Sequence, residues 1–87
     1  MQHFVKSIDT LYGKFNFYIN EIETPEGILF HISVVGKDKK ACMFVMEKYA
    51  NRWYIKNPVN CPDWIINIEP ILSDEIGLVI HNETPKV

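Results

Sequence analysis

Eighty-seven residues, 47% of them hydrophobic and 23% charged, make one folded domain with no room for a second. A net charge of −2, with Lys and Arg scattered rather than clustered, gives nucleic-acid binding no electrostatic footing. No apolar run approaches the roughly 20 residues of a membrane span, and the first residues lack the charged-then-apolar layout of a secretory signal, so a soluble, cytoplasmic protein is expected.

Residues 3–12 admit two readings. Phe4, Val5, Ile8, Leu11 and Tyr12 fit a helical stripe stopped by Gly13, while the same stretch also reads as a strand that turns at Asp9-Thr10. The strand is favoured, because so short an isolated helix is marginal and a clear strand follows. In that strand, Lys14 to Glu23, Phe15, Phe17 and Ile19 alternate with Lys14, Asn16, Tyr18 and Asn20. Thr24-Pro25-Glu26-Gly27 has Pro second and Gly fourth, as a type I turn prefers. Ile28 to Val35 alternates again, Gly36 to Lys40 turns, Ala41 to Lys48 is a third strand, and Trp53 to Lys56 a short last one.

Short connections imply antiparallel hairpins. If Glu23 pairs with Ile28, Val35 with Ala41 and Tyr49 with Arg52, then Ile19 lies beside Ile32, Ile32 beside Phe44, and Phe30 and Ile55 both beside Met46. One face then carries Phe15, Phe17, Ile19, Phe30, Ile32, Val34, Cys42, Phe44, Met46, Trp53 and Ile55. A slip of one residue in any hairpin destroys that agreement.

After a linker punctuated by Pro58 and Pro62, the apolar period changes from two to between three and four. Trp64, Ile65, Ile68, Ile71, Leu72, Ile76, Val79 and Ile80 share one helical stripe. Pro70 interrupts the stripe without shifting its phase, which predicts one kinked helix or two helices end to end. Gly77 is a second weak point, and a strand over Leu78 to His81 is the alternative for that stretch. The expected fold is α+β: a two-layer domain over residues 1–82, an antiparallel meander of four or five strands with a C-terminal, kinked or broken amphipathic helix on one face, and residues 83–87 as a flexible tail.

The chemistry-bearing residues are few. Cys42 and Cys61 are too few for a disulfide framework and read as reduced thiols, at least one filling core space. His31 falls on the face away from the helix, beside Asn20 and Val45, with no carboxylate or nucleophile where triad logic would need one. His3 and His81 form no metal-ligand spacing, and no phosphate loop, nucleophile elbow or zinc-protease pattern is present. No catalytic residue, cofactor or metal is expected. Glu75 falls inside the apolar stripe; the favoured reading is a helix break at Ser73 that places Asp74 and Glu75 in an exposed first turn, the other being an acid in a pocket.

The open sheet face holds too many apolar residues for a wholly solvated surface. Tyr18, Asn20, Leu29, His31, Val35, Met43, Val45 and Tyr54 are the candidate interface. Ile66 and Leu78, off the helical stripe, are further contact candidates. The expected function is a non-catalytic protein–protein interaction or self-association module, most simply a homodimer, with no nucleic-acid, membrane or metal partner. The alternative is a small-ligand-binding domain or weak enzyme with a pocket between helix and sheet at Trp53, Trp64 and Glu75.

Overall fold

The computed structural model describes residues 2–36 and 38–83, with side chains as far as Ile80. Five strands, β1 (His3–Thr10), β2 (Gly13–Thr24), β3 (Gly27–Val35), β4 (Ala41–Tyr49) and β5 (Arg52–Ile55), precede a 3-10 turn at Pro58–Asn60 and two helices, α1 (Asp63–Ile66) and α2 (Glu69–Glu83). The strands form one antiparallel sheet in sequence order. Glu23 pairs with Ile28, Val35 with Ala41 and Tyr49 with Arg52, the registers the alternation requires. Residues 3–10 are strand, adding Phe4 and buried Ile8 to the inner face.

Two turns share a T-x-x-G pattern. The Thr10 hydroxyl donates to the Gly13 carbonyl at 2.7 Å and the Thr24 hydroxyl to the Gly27 carbonyl at 2.6 Å. Both glycines adopt positive φ, 113° and 135°, a region that side-chain-bearing residues avoid. The β4–β5 hairpin instead closes on Ala50 and Asn51, both left-handed, as the right-handed twist of two strands joined by a two-residue loop demands.

The helical segment is two helices end to end, and Pro70 explains where they part. Its ring would strike the carbonyl four residues earlier, that of Ile66, and its nitrogen has no proton to offer there. α1 ends at Ile66; α2 begins at Glu69, so Pro70 falls in a first turn, where the missing donor costs nothing. The stripe keeps its phase across the break: Ile65, Ile68, Leu72 and Ile76 are all buried against the sheet. Two expectations are corrected: α2 is unbroken at Ser73, and it leaves Ile71 exposed. Of the two readings for Leu78 to His81 the helix holds, running on through Gly77. It also extends through Glu83, the first residue of the expected tail; residues 84–87 lie outside the described residues.

α2 runs closest to β5. Arg52 pairs with Asp74 at 3.4 Å, the Trp53 N–H donates to Ser73 Oγ at 2.9 Å, and the Ile55 N–H donates to Glu69 Oε2 at 2.7 Å. These are the two backbone donors that β5 turns away from β4. The match is metric: four helical residues rise about 6 Å, and two strand residues about 6.7 Å. On the opposite flank, about 200° around the helix from Ser73, Glu75 reaches Lys6 of β1 at 3.8 Å. Strands at opposite ends of the sheet thus meet opposite flanks of one helix, so the sheet curls around α2.

Two aromatic groups fill the ends of the core. Trp64 packs on Phe15 and Phe17, with ring centroids 5.5 and 6.3 Å away, and meets Tyr12 edge-on. Gly36 lies under the same indole so closely that a Cβ there would sit 2.9 Å from the ring. Trp53 meets Phe30 edge-on at 5.0 Å, and Phe30 meets Phe4 at 6.3 Å.

Candidate functional site

Alternation along each strand carries every second side chain to the face that α2 leaves open, and the pairing arranges these in rows. One row is Val5, Tyr18, Ser33, Met43; the next is His3, Asn20, His31, Val45; a third is Ile22, Leu29, Glu47, Tyr54. All eight candidate interface residues lie on this face, Val35 at its far end beside Ala41. Its apolar members are well exposed: Met43 67%, Val35 55%, Val5 51%, Tyr18 48%. Leu29, His31 and Val45 are half-buried among neighbours.

Strands about 4.8 Å apart and eight or so residues long give this face an area of roughly 500–600 Å². That area is shared between exposed apolar side chains and the polar His3, Asn20, His31, Ser33 and Glu47. Polar groups within it are fixed locally: His3 Nδ1 and Asn20 Oδ1 lie 2.7 Å apart. His31 sits between Asn20 and Val45.

The alternative trio is not brought together. Trp53 and Trp64 belong to the two separate aromatic groups, and Glu75 is engaged with Lys6. One hollow, about 620 Å³ and open to solvent, lies by the β2–β3 turn, lined by Gly27, Leu29, Glu47, Trp53 and Lys56 among others, but by neither Trp64 nor Glu75. Trp64 borders a different hollow, with Tyr12, Gly36 and Cys42.

Compared with protein-family models, curated proteins and solved structures, the chain matches none. Its own geometry is therefore the guide to function. Among the described residues no helix is long and apolar enough to cross a membrane, and no three His, Cys, Asp or Glu side chains gather as a metal site. Sequence reasoning missed Lys6, Glu69 and Ser73. The signals were there: Lys6 falls in phase between Phe4 and Ile8 on the inner face, and Glu69 and Ser73 are polar residues four apart on one helical flank.

Both thiols are free, half-buried and packed against the core. Burial pushes the Cys61 thiol up, and the nearby Cys42 and Glu69 add to the shift. A raised pKa leaves less thiolate at any given pH. Alkylation of Cys61 by iodoacetamide is therefore expected to be slower in the native protein than in urea, with a midpoint above the roughly 8.5 of a free thiol. By linkage the native state holds this proton more tightly than the unfolded chain, so its contribution to stability is lost as pH rises past that value. A native rate at or above the unfolded one would contradict the assignment.

Proposed function

We propose that this domain is a non-catalytic protein–protein interaction module whose working surface is the open face of the sheet. One observation carries the reading. The inner face buries its apolar side chains under the helices, while the outer face presents Val5, Tyr18, Val35, Met43 and Tyr54 to solvent with no element over them among the described residues. The exposed apolar side chains, on the outer side of the curled sheet and rimmed by Glu47 and Lys56, suit a partner whose apolar centre follows that curve. Catalysis is not favoured, since the row neighbours of His31 are an amide and an aliphatic side chain, neither of which can act as its acid, base or nucleophile.

Site-specific photo-crosslinking tests it. A benzophenone side chain at Met43 is expected to give a discrete protein adduct in cell extract, and the adduct is expected to disappear when Val45→Glu is added. The same probe at Lys14, at the margin of the sheet, gives none. An adduct unaffected by Val45→Glu, or no adduct above the Lys14 background, overturns the proposal.

A further inference from the structure

We infer that two copies of this chain join edge to edge through β1, antiparallel, with Lys6 of each copy meeting on the two-fold axis. The argument starts from the difference between the two edges of the sheet. At β5 the outward donors of Trp53 and Ile55 are occupied by Ser73 and Glu69. At β1 the Glu21 N–H donates to the Gln2 carbonyl at 2.8 Å, which fixes the alternation. Even-numbered residues turn to β2, and His3, Val5, Ser7 and Asp9 turn their backbone groups outward. This edge has eight residues in unbroken register with β2, without a bulge or a proline. Among the described residues no hydrogen-bond partner meets these four outward N–H groups, and the inward charge at mid-strand, Lys6, is matched by Glu75 rather than left to repel a second strand.

The outward groups also choose a register. Antiparallel pairing must match odd residues with odd. Only the alignment of residue 3 with 9 and 5 with 7 uses all four; a shift of two in either direction uses three. In that alignment His3 faces Asp9 of the second copy, a pair of opposite charge once the imidazole is protonated, and symmetry repeats it. Asp9 is exposed and pairs with Lys14 at 4.0 Å. On the inner side Phe4 faces Ile8 of the second copy. The two Lys6 side chains meet on the axis, each beside its own Glu75, so like charges are interleaved with carboxylates.

A separate feature lies on the same side of the molecule. Ile71 and Glu75 follow one another at helical spacing, so the flank of α2 that reaches β1 also exposes a large apolar side chain, Ile71. Edge pairing carries this flank toward its counterpart on the second copy. It also makes the two open faces one continuous surface of twice the area, although it does not depend on what those faces bind.

Light scattering and sedimentation across a concentration series test the pairing. The wild type is expected to reach twice the 10.2 kDa chain mass. Ser7→Pro deletes an outward N–H that β2 does not use, and edge strands tolerate such a proline. Ile71→Glu charges the helix flank and leaves β1 untouched. Each is expected to weaken the dimer by at least about tenfold with unchanged circular dichroism, while Met43→Glu leaves it intact. If Ser7→Pro fails to fold, Ile71→Glu decides. A wild type that stays monomeric overturns the inference, as does a dimer that survives both edge variants. A dimer lost only in Met43→Glu also overturns it and moves self-association to the open face.

Discussion

Removing both caps of β5 at once, by Ser73→Ala with Glu69→Ala, is expected to lower stability by about 3–5 kcal/mol. The two side chains accept from the Trp53 and Ile55 N–H groups, one buried and one partly buried. An unpaired buried donor costs about 1–3 kcal/mol, and a bond to a carboxylate is worth about 1.5–3 kcal/mol. A domain of this size is held by something like 4–13 kcal/mol in total, so the melting point should fall by more than about 15 °C. Glu69→Gln keeps an acceptor without the charge and should recover part of the loss. Urea titrations measure the energies. Turbidity on warming reads the second consequence, since the uncapped edge becomes a template for other strands. A cost below about 0.5 kcal/mol for Ser73→Ala would mean that water replaces the hydroxyl at the Trp53 N–H.

Phe30→Ala is expected to cost about 3–5 kcal/mol, the range for deleting a fully buried aromatic ring. Phe30 lies on the central strand with no exposed surface, paired with Met46 and stacked edge-on between Trp53 and Phe4. Its loss leaves a hollow that the two rigid rings cannot fill and the flexible Met46 fills only in part. Near-ultraviolet circular dichroism should lose the Trp53 signal even where the far-ultraviolet spectrum persists. Phe30→Leu, which keeps much of the volume, should cost less than half as much. A small effect of Phe30→Ala, under about 1 kcal/mol, would mean that the core collapses onto the site.

The sheet was legible because its physics is local. Side chains alternate with period two, and the turns at Thr24–Gly27 and Ala50–Asn51 fix how each strand folds back on the last. The two-helix break was half legible. Pro70 announces a discontinuity, but its place depends on which carbonyl the ring excludes, and that favours Ile66 over Ser73. What was hidden involves partners distant in sequence. Glu75 looked misplaced in an apolar stripe until the curl of the sheet brought Lys6 to it. Ser73, a helix-breaker by propensity, is buried because a strand twenty residues earlier has a donor to satisfy. The eight interface residues share a face by register alone; whether a partner covers that face is a property of another molecule and leaves no periodic trace.

In the chain the helices come after all five strands. Translation proceeds at roughly 5–20 residues per second, so the strands leave the ribosome, hairpin by hairpin, before α2 can pack on them. During that interval Phe17, Phe30, Phe44 and Met46 have no cover, both faces of the sheet expose apolar side chains, and β5 is a bare edge. The nascent protein thus passes through a state far stickier than the finished one, and the last turns of helix to be made end its exposure.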